Sequence, residues 1–212
     1  MKEMTRKWSI SILGALIASF SIVMSIKANM GLNAYNGMLG NLSEATGWTM
    51  GVFSWTSGFL FILFNKIVSK KKKFNWSAMI VSFLFGSFID FFYVLLEGNV
   101  AYESFVLRLV VFLTMIVVAG MGISLIIYSG FISPVEEYQF AMKKIFKTDI
   151  ATSKVYSDIS FLLAAVAVGL LSHHGLGHIN LGTLVVTLST GRVIGMTLDM
   201  LNRGKASNTV QA

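Results

Sequence analysis

The sequence predicts an all-α polytopic membrane protein, with six transmembrane helices arranged as two inverted three-helix repeats, each carrying a helix break and a short amphipathic segment. Composition is the first ground for this. Of 212 residues, 55% are hydrophobic and 13% charged, with mean hydropathy +0.72, whereas soluble domains carry roughly a quarter charged residues. The second is that apolar stretches near the bilayer-crossing length of about 20 residues recur six times. The third is that the order of features in the first half of the chain returns in the second.

The chain reads as a single membrane domain over 1–212, with spans expected at Trp8 to Ala28, Met50 to Val68, Trp76 to Leu96, Phe105 to Tyr128, Val155 to Ser172 and Leu181 to Leu201. The first follows a basic start, as a secretory signal would. Its apolar run is longer than a signal core and no small-residue cleavage site follows, so the sequence predicts a retained span. Two connectors are long enough to hold structure, Asn29 to Thr49 and Ser129 to Lys154, and a polar tail occupies 202–212.

Lysine and arginine set the orientation. Lys2, Arg6 and Lys7, then Lys66 and Lys70 to Lys73, then Lys143, Lys144, Lys147 and Lys154, then Arg203 and Lys205 all fall on one side of a six-span chain. Both termini are therefore expected in the cytoplasm of a bacterial cell, at its cytoplasmic membrane. The net charge of +7 is explained by these flanks and calls for no nucleic-acid partner. Trp8, Trp48, Trp76, Tyr93 and Tyr102 fall near span ends, as interfacial anchors do.

Residues 8–96 and 106–201 follow one plan: long helix, glycine-containing break, short amphipathic segment, helix, link, glycine-centred helix. The first break, around Asn29, Gly31, Asn33, Asn36 and Gly37, reads as an unwound stretch, and the second centres on Pro134. Asn36 falls opposite Glu136, and Phe85-Gly-Ser-Phe-Ile opposite Thr190-Gly-Arg-Val-Ile. The short segments are expected at Tyr35 to Ala45 and Val135 to Phe146, partly inserted or lying in the interface, the second with its lysines toward anionic lipid. Three spans per half make the second enter from the opposite face, the inverted arrangement of many secondary transporters.

The run Lys27-Ala-Asn-Met-Gly-Leu-Asn-Ala-Tyr-Asn36, then Leu42-Ser-x-x-Thr-Gly47-x-x-x-Gly51, then Gly86-Ser-Phe-Ile-Asp90 resembles the YczE/YyaS/YitT-like group of bacterial multi-pass membrane proteins, closest to its YczE branch. In the second half, Pro134-x-Glu136, Lys154-x-x-x-Asp158, Gly182-Thr183 and Thr190-Gly191-Arg192 support it. The resemblance implies the fold class and no substrate. Asn29 stands where the group's pattern has glycine, Ala34 where it has proline and Asn36 where it has an acid, which removes an acidic group from the first break.

Ionisable residues inside spans are costly and so are candidates for function. The substrate-binding or coupling candidates are Asp90, Glu136, Lys154, Asp158 and Arg192, with Asn33 and Asn36. Lys154 and Asp158 are spaced to pair on one helix face. Glu136, Lys154, Asp158 and Arg192 are expected to converge on a hydrated inward cavity, with Asp90 and the first-break asparagines as its outward counterpart. Arg192 suits a carboxylate or phosphate, or else locks helices through Asp158 or Glu136. Gly47, Gly51, Gly86, Gly191 and Gly195 are expected at close helix crossings, within one chain or in a homodimer.

With no cysteine, thiol catalysis and cysteine-ligated metals are excluded. His173, His174 and His178 read as an outward loop and not as a metal site, and no phosphate loop, cofactor fingerprint or nucleophile set appears. No cofactor and no enzymatic activity are expected. The partners expected are the lipid bilayer and a small solute, and the function expected is transport or export of a small polar or anionic solute by alternating access. A substrate-binding subunit of a larger transport complex, and a membrane scaffold or regulator, are the alternatives.

Overall fold

The structure, a computed structural model, describes residues 2–70, 73–98, 102–173 and 175–210, with side chains described as far as Arg203. All its regular elements are helices: α1 (Lys2–Ala28), α2 (Ala34–Thr46), α3 (Met50–Ser69), α4 (Trp76–Leu95), α5 (Phe105–Tyr128), α6 (Pro134–Phe146), α7 (Ile150–Leu171) and α8 (Leu181–Val210). Six of these, all but α2 and α6, are long and apolar enough to cross a membrane. The expected spans are recovered. α1 starts six residues before Trp8 and α7 five before Val155, because basic or polar first turns still satisfy their own backbone hydrogen bonds as helix.

Local chemistry sets the boundaries. Asn33 caps α2 by accepting from Asn36 N at 2.9 Å, Thr49 caps α3, and Asp149 caps α7 through Thr152 N at 2.8 Å, each satisfying a donor that the first turn leaves open. Pro134 opens α6 at its first position, where its missing N–H costs nothing. Gly47 ends α2 at φ 75°, a left-handed position suited to glycine. It has no neighbour that a side chain would strike, so Gly47 shapes a turn and is not the packing residue the sequence suggested.

Two further expectations are corrected. The first break is confined to 29–33, and Asn36 and Gly37 lie in the first turn of α2, since the cap at Asn33 starts the helix there. Nor does α2 rest on a surface. Residues 34–41 are all buried, and the helix packs on α7 and α3. Likewise α6 packs on α3, α7 and α4, with Pro134, Glu137 and Ala141 buried.

The tightest crossing joins α1 to α5. A side chain on Gly14 would lie 2.6 Å from Gly122 O, and one on Gly122 would lie 2.7 Å from Gly14 O, so the two backbones touch directly. Around this axis α4 packs on α1 and α8 on α5, while α2 packs on α7 and α6 on α3. Ser19 Oγ donates to Phe85 O at 3.0 Å between α1 and α4, and Ser124 Oγ to Ile194 O at 3.3 Å between α5 and α8. At the centre Tyr35, Phe61, Tyr138 and Phe161 form one aromatic cluster, with centroids from 4.7 to 6.0 Å apart.

Candidate functional site

Between the two short helices lies a cavity of about 430 Å³. The amino ends of both helices line it, α2 with Asn33, Tyr35 and Asn36, α6 with Pro134, Val135, Glu136 and Gln139. From α7 come Ile150, Lys154 and Asp158, spaced four apart and so on one face. From α8 come Thr187, Thr190, Gly191 and Ile194, again a single stripe. Phe85 of α4 and Ile123, Ile126 and Ile127 of α5 supply apolar wall.

Charged groups in this cavity are few. Lys154 Nζ donates to Asp158 Oδ2 at 2.6 Å, the pairing that the i, i+4 spacing predicts. Glu136 is half-buried, and its Oε2 accepts from Ser133 N at 2.6 Å. Burial holds its carboxyl above the usual 4.5, the Ser133 hydrogen bonds pull the other way, and the adjacent Glu137 adds to the rise. Asn36 is 4% exposed, and its Oδ1 has no partner among the described residues. Buried amide oxygens are rarely left so.

Five of the seven binding or coupling candidates, Asn33, Asn36, Glu136, Lys154 and Asp158, therefore share one cavity. Asp90 and Arg192 do not line it. Asp90 binds the start of α3, accepting from Thr49 Oγ1 at 2.6 Å and Gly51 N at 2.9 Å. Gly51 and Gly86 bring α3 and α4 together there: a side chain on Gly86 would lie 2.8 Å from Gly51 O. Arg192 is exposed. With 100° between successive residues, it falls on the far side of α8 from the stripe of Thr187, Thr190, Gly191 and Ile194.

The remaining expectations divide. Asn29 takes a left-handed φ of 50°, and Gly31, at φ 110°, sits against Asn180 and Thr183. Arg108 fastens this break, donating from Nε to Ala28 O at 2.6 Å and from Nη2 to Asn29 O at 2.8 Å. A Cβ on Gly191 or Gly195 would have no neighbour within 4 Å among the described residues, so they are not crossing points among those residues. His178 Nε2 lies 3.1 Å from Glu44 Oε1, His173 is exposed, and His174 lies outside the described residues, as do Lys71 and Lys72.

Sequence reasoning missed the clamps that hold the short helices. Asn41 of α2 donates to Ala165 O at 2.8 Å and to Leu176 O at 3.2 Å, and accepts from His178 N at 2.9 Å. Glu137 of α6, 1% exposed, accepts from Asn75 Nδ2 at 2.7 Å and also from Asn65. Each short helix thereby grips the link between the second and third spans of the other half. The one signal in the sequence was a polar residue on the apolar side of a short helix.

Six helices long and apolar enough to cross a membrane, with a buried pair of short helices between them, define a polytopic helical membrane protein. The chain belongs to a family of unknown function, DUF6198, which matches residues 5–199. It is similar to the uncharacterized protein YyaS of Bacillus subtilis (strain 168), 23% identical over 192 residues, covering 90% of this chain and 92% of that one. This bears out the resemblance to the YyaS-like group. No solved structure matches the chain.

Proposed function

We propose that this protein is a small-solute transporter or exporter of the bacterial cytoplasmic membrane, working by alternating access between two inverted repeats, with both termini cytoplasmic. The observation that carries the reading is a cavity lined by the first turns of both α2 and α6, one from each half. Transporters of this architecture place their sites where interrupted helices of two repeats meet. Helix boundaries support the repeat: α1, α2 and their successors end or begin at 28, 34, 46 and 50, and α5 to α7 at 128, 134, 146 and 150. Tyr35 with Ser57 and Tyr138 with Ser160 make hydrogen bonds of 2.9 and 3.1 Å across the same 22-residue interval. The lysine-rich flanks favour the orientation, and the Gly86 to Asp90 run favours the YczE branch.

The halves also differ in a way that alternating access uses. α4 packs closely on α3, whereas its counterpart α8 packs on α5 and barely meets α7. Exchanging these two arrangements closes the cavity on one side and opens it on the other. Because Arg192 lies off the cavity, the anion preference that rested on it loses its main support, and an amphipathic solute fits the apolar wall better. We read the chain as non-enzymatic.

Proteoliposomes holding only this purified chain test the reading. Uptake or efflux of a solute down or against a gradient is the expected outcome. If a solute binds tightly and is never moved, a second reading gains, a substrate-binding subunit that serves an energising partner. One observation favours that alternative: Arg192 stands exposed midway along α8 without an ion-pair partner among the described residues, a costly position in lipid that a docked helix would cover.

A further inference from the structure

The charged acceptors in the cavity outnumber its charged donors. Asp158 uses Oδ2 for Lys154, and Glu136 uses Oε2 for Ser133 N. Oδ1 of Asp158 makes no hydrogen bond among the described residues, whereas the Glu136 carboxylate is also approached by the Ser133 hydroxyl. Asn36 Oδ1 is likewise without a partner among the described residues. Lys154, the cavity's ammonium group, is already paired. The titratable groups in the lining are Glu136, Lys154, Asp158 and Tyr35, with Glu137 beside the first, and the linings from α4, α5 and α8 contribute none. Two carboxylates against one ammonium leave the site neutral or negative.

An anion has no open seat here. The positive end of α6 is occupied by the Glu136 carboxylate, and Asn33 caps that of α2. What the cavity lacks is a donor-rich cation, and what it offers beside the carboxylates is an apolar wall of Phe85, Ile123, Ile126 and Ile194. At about 430 Å³ it falls among pockets that enclose small organic ligands.

We propose that the cavity binds an amphipathic solute carrying one protonated amine, whose ammonium is taken by the carboxylates of Glu136 and Asp158 while its apolar body lies against α4, α5 and α8. The proposal rests on the transporter reading above for its purpose, though not for its binding chemistry. Glu136 then holds either a proton or the solute's ammonium, so that loading of one expels the other.

Three probes with one apolar body and different heads test this: 4-phenylbutylamine, 4-phenylbutanol and 4-phenylbutyrate. Calorimetry on the full chain in nanodiscs, with empty nanodiscs subtracted, reads the affinities. At about pH 8 the amine binds about tenfold or more tighter than the alcohol or the carboxylate, the worth of one charged hydrogen bond. Its lead shrinks as pH falls and Glu136 takes up its proton, and Glu136→Gln removes the pH dependence. Equal affinities for the three heads, or preference for the carboxylate, overturn the proposal without any variant having to fold. In proteoliposomes the two readings separate. Movement of 4-phenylbutyrate alone keeps the transporter and overturns the amine, whereas amine binding with no movement of any probe keeps the amine site and overturns the transporter.

Discussion

Asn36 and Glu136 hold the same place in the two short helices, each the third residue after its cap, Asn33 or Ser133, and both line one cavity. Their first turns are capped differently. In α2 the cap side chain reaches forward to Asn36 N, and Asn36 Oδ1 has no partner among the described residues; in α6 the cap is reciprocal, a capping box in which the Glu136 carboxylate also reaches back to Ser133 N. An acid at the first position would add a second buried negative charge to this pair. Asparagine keeps the polarity there and leaves Glu136 as the only titratable member.

Glu136 makes stability depend on pH. Its folded value is raised above the ordinary 4.5 chiefly by burial. The fold therefore favours the protonated form, and the contribution is fully present below 4.5 and lost as pH rises through the higher folded value. Thermal unfolding of the detergent-solubilised protein should show this fall, and Glu136→Gln should flatten it. Asp149 acts in the opposite sense at lower pH. Its carboxyl is held below the ordinary 3.8 by hydrogen bonds from Thr152, so its contribution is lost as pH drops. A profile unchanged by Glu136→Gln would count against its burial.

Asp90 is a clamp on α3, so Asp90→Ala should lower stability by about 1–3 kcal/mol, the range for losing hydrogen bonds to a charged group. Thr49→Ala should cost less, and the double variant less than the sum, because the two side chains share one bond. Solute binding in the cavity should stay as it is. A loss of binding with stability intact would make Asp90 part of the site.

Backbone contact at the α1 and α5 crossing leaves no room for a side chain. Gly122→Leu should destabilise by at least about 1–3 kcal/mol, as overpacking does where the neighbour cannot move. Gly195→Leu, at a position where an added Cβ has no neighbour within 4 Å among the described residues, should cost less than about 0.5 kcal/mol. Comparable damage at both sites, read by thermal unfolding, would mean that a second copy or another protein covers α8.

Arg192→Ala should leave binding in the cavity unchanged, since its helix face is opposite the lining stripe. Calorimetry with 4-phenylbutylamine checks this directly. A drop of tenfold or more would bring Arg192 into the site.

Much of the fold was legible because a bilayer constrains sequence so strongly. Backbone groups in lipid must be satisfied within helices, and thus runs such as Met50 to Val68 and Phe105 to Tyr128 announce themselves by length and hydropathy. The Lys154 and Asp158 pair was equally legible, being a matter of local spacing. So was the correspondence of Asn36 with Glu136, because the two halves keep the same order of caps and breaks.

The sequence by itself determined which segments enter the membrane and which few polar residues enter with them. Only the tertiary structure decided which of those polar residues meet. Asp90 went to a helix start and Arg192 to the outer face of α8, because helix rotation depends on packing partners that hydropathy does not encode. Asn41 and Glu137 emerged as clamps for the same reason: each bonds to a segment far along the chain. Hydropathy sets the depth of a residue, and only the packing of α2 against α7 and α6 against α3 sets which way it faces.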